Sequence, residues 1–307
     1  MSKPKPQPKP QPKTVRRPKE SQTAARLWRV EGEQAELRED SLATEEPLEI
    51  RLAWADLGQI DRRSTVAVTM RTPGADAELA AGFLFAEGVI DRFERIRGIA
   101  TVEENIVEVE LADGPAPVLN SLDRHFFATS ACGVCGKAGL EALRFRVPTP
   151  LPAGPVVDPA LVRALPDRLR AAQGLFAATG GLHAAGLFDT AGTLLALRED
   201  VGRHNALDKL LGWSLAAGLL PLHDHLVMVS GRSSYEILQK CLVAGVPVVC
   251  AVSAPSSLAV ELAERFGVTL IGFLRGDRFN VYSSPERVAG VAPASRPRRE
   301  RLFPTVP

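Results

Sequence analysis

The second half of the chain alternates short apolar runs with stretches of helical spacing, and no other feature restricts its fold as strongly. Residues 225–229, 246–252 and 268–273 are nearly continuous apolar runs, too short for helices. Residues 234–244 and 257–266 lie between them with apolar side chains three and four positions apart, and Gly or Pro marks most changes. Short buried strands separated by helices of about ten residues predict parallel strands joined by crossover helices. Just upstream, residues 183–188 and 193–197 flank Asp189-Thr-Ala-Gly192, a good hairpin turn, and residues 205–217 place Leu207, Leu210, Leu211 and Leu215 on one helical face. The fold class predicted is α/β, an open mixed sheet with flanking helices. Ligands of such sheets bind at the carboxyl ends of strands. Three polar loops leave strand ends here, 198–205, 230–234 and 275–278, and they are expected to line one pocket.

The first half has a different period. Apolar residues fall at 48, 50, 52 and 54, and again at 66, 68 and 70, the spacing of half-buried strands. Thr72-Pro-Gly then breaks the strand, and residues 78–90 set Leu79, Phe83, Ala86 and Ile90 at helical spacing. Val107, Val109 and Leu111 restore the alternation, which predicts a small α+β domain of strands covered by a helix. Residues 1–20 hold seven Lys/Arg and one acid among KPQP repeats, so this segment carries +6 while the whole chain carries +1. A segment with so little to bury is expected to be disordered, and the Pro/Arg-rich stretch after residue 291 likewise. The expected organisation is a tail over 1–24, an α+β domain over 25–128, an α/β domain over 129–291 and a second tail over 292–307. With 45% apolar residues the body is that of a globular protein, and its longest apolar run falls well short of the about 20 residues of a membrane helix. No secretory signal pattern follows the basic start, so a cytoplasmic protein is expected.

Four cysteines are too few for a secreted disulfide framework. Cys132-Gly-Val-Cys135 is the reactive-looking pair, with glycines on both sides and Lys137 close enough in sequence to favour a thiolate. Three chemistries suit such a loop: half of a zinc site, a redox dithiol, or a carrier of sulfane sulfur. Zinc is weakened because there is no second Cys-x-x-Cys and no His-x-Glu with Pro-Cys-x-x-Cys, so no metal is expected. The redox reading is weakened because the pair follows a whole domain rather than opening the first helix of a βαβ unit. Cys241 and Cys250 sit in apolar segments and read as core residues. Gly231, Arg232, Ser233 and Ser234 join a strand to a helix start, a plausible phosphate cradle. Arg275 and Arg278 flank a Gly-Asp turn, and guanidinium forks suit phosphate or a base. His204 is placed for proton transfer among Glu199, Asp200, Arg203, Asn205 and Asp208, although Asp200 or Asn205 equally suits a helix cap. His183 reads evenly as core or site.

Taken in order, these segments resemble the FdhD/NarQ family, the formate dehydrogenase accessory sulfurtransferases. The stretches that carry the resemblance are Thr72-Pro-Gly, Glu78-Leu-Ala-Ala-Gly-Phe-Leu-Phe-Ala-Glu-Gly88, Ser130-Ala-Cys-Gly-Val-Cys-Gly136, Thr179-Gly-Gly-Leu-His183, Glu199-Asp-Val-Gly-Arg-His-Asn-Ala206, Ser230-Gly-Arg-Ser-Ser-Tyr235 and Gly272-Phe-Leu-Arg-Gly276. The resemblance implies an enzyme, a sulfurtransferase that accepts persulfide sulfur from a cysteine desulfurase. It passes that sulfur to the molybdenum or tungsten bis(molybdopterin guanine dinucleotide) cofactor, a bound substrate and not a permanent cofactor, before its insertion into formate dehydrogenase. It implies that Cys132 carries the persulfide and Cys135 assists or alternates. Phe273, Leu274, Arg275, Gly276, Asp277 and Arg278 match the family's cofactor-binding segment. Gly231, Arg232, Ser233, Ser234, His183 and His204 are expected to complete the cofactor site, holding in part the guanine nucleotide. A cytidine-deaminase-like fold for the C-terminal domain and a homodimer are also implied. Nucleic acid and membrane are not expected partners, and a non-catalytic cofactor chaperone is the alternative.

Overall fold

The computed structural model describes residues 20–56, 59–119, 147 and 151–291. The apolar runs of the second half form the centre of a six-stranded sheet, in the order β12-β11-β10-β9-β7-β8. Its strands are β7 (His183–Phe188), β8 (Leu194–Asp200), β9 (Leu226–Val229), β10 (Val248–Ala251), β11 (Thr269–Arg275) and β12 (Arg278–Val281). The central β9, β10 and β11 are parallel, while β7 and β12 run antiparallel to their neighbours β9 and β11. β9 and β10 are buried on both faces, which is why their sequences are continuous apolar runs. Successive residues face opposite layers. Leu226 and Met228 join the core beneath α2 (Pro159–Ala172), whereas Val227 and Val229 join the core under α4 (Arg203–Ala216), α5 (Tyr235–Val243) and α6 (Ser257–Phe266). The short α3 (Gly174–Thr179) leads into β7.

The first half supplies a four-stranded sheet, β4-β3-β6-β5, from β3 (Glu46–Asp56), β4 (Gln59–Arg71), β5 (Ile96–Glu103) and β6 (Ile106–Leu111). Leu48, Ile50, Leu52, Val107, Val109 and Leu111 are buried in the core that also holds α1 (Asp76–Glu87). α1 buries seven of its residues and α4 ten, as expected of helices covered on more than one side. The two helices cross at glycines. A Cβ on Gly82 would lie 1.8 Å from the Asp208 carbonyl oxygen, and one on Gly212 would lie 1.9 Å from that of Glu78, so no larger residue permits this approach. One hydrophobic cluster therefore runs from the small sheet through α1 and α4 to the large sheet.

β1 (Gln22–Glu31) and β2 (Gln34–Ala43) form a separate antiparallel ribbon, turning at Gly32, whose positive φ suits glycine. β1 begins inside the stretch assigned to the N-terminal tail by sequence. Among the described residues no helix is long and apolar enough to cross a membrane.

Candidate functional site

The polar segment between β8 and α4 divides into structural and unengaged groups. Asp200 is fully buried and accepts from the backbone N–H groups of Thr72 at 3.1 Å and Gly202 at 2.8 Å, and from the Asn205 amide at 3.2 Å. It also pairs with Lys209 at 2.7 Å. Asn205 donates to the Met70 carbonyl and Lys209 to that of Thr72, so this set fastens the corner between β4 and α1 to α4. Glu199 accepts from the N–H groups of Leu175 and Phe176 at the start of α3. Asp208 pairs with Lys240 of α5 at 2.7 Å, again in the interior. These polar residues are occupied in holding elements together.

Arg203 and His204 turn the other way, toward the start of α5. His204 Nε2 lies 3.3 Å from Ser234 Oγ and 3.7 Å from a Glu236 carboxylate oxygen, so the N-terminal ends of α4 and α5 meet. Gly231 fits between neighbours: a Cβ there would stand 3.3 Å from His183 Nδ1 and 3.7 Å from Arg203 Cδ. Ser230 ties the end of β9 to β7 by accepting from the Ala184 N–H at 2.9 Å. Burial, then the Arg203 and Lys240 charges, lowers the His204 pKa to about 4 against the pull of Glu236. Burial and Arg203 lower that of His183 as well, with Asp200 opposing. Both rings are therefore neutral near pH 7, each with one N–H and one acceptor nitrogen. Three buried polar atoms in this region, Arg203 Nε, Ser233 Oγ and Tyr235 Oη, have no hydrogen-bond partner. Arg232 is exposed.

Two of the three strand-end loops thus converge with His183, while the third opens onto α2. β11 continues past its pairing with β10 into a hairpin with β12, which carries the turn outward. Phe273 has a positive φ and donates its N–H to Ser253, Leu274 is fully buried in the core beneath α2, and the Arg275 guanidinium lies 5.8 Å from the Phe273 ring. Gly276 and Asp277 line a hollow of about 310 Å³ with Ala160, Arg163, Ala164, Pro166 and Asp167 of α2. Arg278 opens β12 on the far side of the turn. Leu274 can thus offer a ligand its backbone but not its side chain.

Cys132 and Cys135 lie outside the described residues. Cys241 and Cys250 are fully buried, and burial pushes both thiols up to about 12, where the nucleophilic thiolate is all but absent at neutral pH.

Residues 43–289 match the model of the FdhD/NarQ family. The chain is 48% identical over 280 residues to the sulfur carrier protein FdhD of Mycobacterium tuberculosis, spanning 86% of this chain and 97% of that protein. It is 50% identical to the sulfur carrier protein FdhD of Streptomyces coelicolor over 263 residues, 82% of this chain and 90% of the relative. The sulfur carrier protein FdhD of Sulfurisphaera tokodaii is 44% identical over 263 residues, 86% of this chain and 97% of its own. The crystal structure of a proposed formate dehydrogenase accessory protein from Desulfotalea psychrophila superposes with a TM-score of 0.68 at 27% identity, covering 87% of this chain and 99% of that one. The extent of the match over both halves of the fold, with the loops described above inside it, makes this chain a member of the FdhD/NarQ family.

Proposed function

We propose that this chain is a sulfur carrier for formate dehydrogenase, working in the cytoplasm as a sulfurtransferase with Cys132 as the carrying residue. The observation that carries the assignment to a residue is the burial of Cys241 and Cys250, which removes two of the four thiols as carriers and leaves Cys132 and Cys135. Relatives named sulfur carriers at 44–50% identity support the class of chemistry. In loading, the Cys132 thiolate attacks the outer sulfur of a cysteine desulfurase persulfide. A new S–S bond forms on Cys132, the donor S–S bond breaks, and the desulfurase cysteine leaves as thiolate. In discharge, the Cys135 thiolate attacks Cys132, forming a Cys132–Cys135 disulfide and expelling the terminal sulfur as sulfide. The two thiols supply the two electrons that this sulfur gains. The acceptor in this reading is the metal bis(molybdopterin guanine dinucleotide) substrate. Its phosphates suit the strand-end loops at Gly231–Ser234 and its guanines suit the turn at Phe273–Arg278. A homodimer belongs to the same proposal. Trp28, Val30 and Leu37 share one face of the ribbon and are 68%, 66% and 55% exposed, an apolar surface of the kind partners cover.

The test is formate dehydrogenase activity in cells that lack their own carrier and express this chain. Cys132→Ala abolishes it with the protein still folded, while Cys250→Ala retains it. Full activity with Cys132→Ala removes the assignment and favours a chaperone that only holds the cofactor.

A further inference from the structure

Three helices meet on one buried ammonium. Lys240 of α5 is 7% exposed, and its Nζ lies 2.7 and 2.9 Å from the two carboxylate oxygens of Asp208 on α4, itself buried. Glu87, the last residue of α1, stands 3.8 Å from the same Nζ, and the Phe83 ring of α1 lies 5.7 Å from it. A buried ion pair gives little net adhesion, since two apolar side chains of similar volume commonly hold helices together as well or better. What apolar packing lacks is direction. An ammonium donating to both oxygens of one carboxylate fixes one side chain against one other.

The spacing shows where that direction is used. Asp208 follows His204 by four residues on α4, and Lys240 follows Glu236 by four residues on α5, so each pair shares a helix face one turn apart. Asp208–Lys240 is therefore the inner rung of a ladder between the two helices. The outer rung is His204–Glu236 at 3.7 Å, with Ser234 Oγ 3.3 Å from the same ring nitrogen. The outer rung cannot set this register by itself. Its side chains are 28% and 39% exposed, and with the His204 pKa at about 4 the ring carries no charge for Glu236 to attract near neutral pH. The charges around the ring are those of Arg203, Lys240 and Glu236, with His183 close by.

We propose that Lys240 is a positioning residue for His204: by gripping Asp208 on α4 and Glu87 on α1, it fixes α5 in the register at which Ser234 and Glu236 meet the imidazole. The small sheet then takes part in shaping the site through α1. This goes beyond the sulfur-carrier reading, and its test involves no sulfur, so the two fail separately.

The experiment is NMR of the full chain, following the titration midpoint of the His204 ring and the nuclear Overhauser contact between that ring and the Ser234 β-protons. The variants are Lys240→Met with Asp208→Leu, which removes both charges so that neither is stranded in the interior, Lys240→Arg, and Leu165→Ala, which opens the separate core beneath α2. The double variant raises the His204 midpoint by about one pH unit or more, because a nearby cation is gone and water reaches the ring, and it loses the contact with Ser234. Lys240→Arg keeps the charge and the contact, and Leu165→Ala changes neither readout although it destabilises the fold. A double variant with unmoved midpoint and intact contact overturns the proposal, and so does a Leu165→Ala chain whose midpoint moves as far. Lys240→Gln guards against misfolding of the double variant. Its neutral amide still donates to Asp208, its midpoint rises in the same direction, and an unmoved midpoint in this variant likewise overturns the proposal.

Discussion

The sharpest residue-scale consequence concerns His204. Its folded pKa is about 4 against 6.5 for the free side chain, so the unfolded chain binds the extra proton between these values. Stability then rises with pH across that window, and acidification from 6.5 toward 4 destabilises the fold through this residue. Asp208 opposes it. Burial raises that carboxyl from 3.8 to about 6, so its contribution is present below 3.8 and is lost as pH rises through 6. The two groups pull in opposite directions, so the difference between variants carries the information. His204→Gln should gain stability relative to the unsubstituted chain as pH falls from 6.5 to 4, by on the order of 2–3 kcal/mol in urea titrations at several pH values. A constant difference across this range would contradict a desolvated, neutral His204. The sequence marks His204 as polar and close to Asp200, but it cannot show that Arg203 faces Gly231 while Arg232 is exposed. That distinction comes from two helix ends meeting across 30 residues of chain.

At the scale of elements, the glycine crossing of α1 and α4 sets the distance between the two sheets. Gly82→Ala forces a methyl against the Asp208 carbonyl on a neighbouring backbone that cannot move alone. Overpacking of this kind costs about 1–3 kcal/mol or more, and a chain of this size loses roughly 2–4 °C of Tm per kcal/mol. We expect Gly82→Ala to lower Tm by about 5 °C or more, with Gly98→Ala, which has open space around its Cβ position, close to unchanged. Equal Tm values for the two variants would refute the tight crossing. Most elements were legible because burial dictates their period. β9, β10 and β11 are continuous apolar runs, and β3 and β6 alternate because one face meets α1. The ribbon was not legible because its two strands bury almost nothing, so no period is imposed on them. α2 was also missed, although Asp158 caps it with Pro159 at its first position, and Val162, Leu165 and Leu169 recur at helical spacing. Arginines and an internal Pro166 dilute that signal.

At the scale of the whole molecule, the arrangement of layers fixes where the polar loops stand. The large sheet gathers polar loops at its strand ends, and the small sheet, through α1 and the Thr72 corner, holds the first of these loops in place. The start of α5 beside Arg203 and the turn facing α2 thereby stand at the ends of different strands of one sheet. The thiols divide equally clearly, two sealed in the core and two in Cys132-Gly-Val-Cys135. The central claim is that sulfur travels on Cys132, and intact-mass analysis after incubation with a cysteine desulfurase and cysteine tests it most directly. The account predicts a gain of about 32 Da per sulfur in the unsubstituted chain, retained in Cys135→Ser, Cys241→Ala and Cys250→Ala and absent from Cys132→Ser. A Cys132→Ser chain that still gains the sulfur, or an unsubstituted chain that gains none while a control acceptor is loaded, would contradict it.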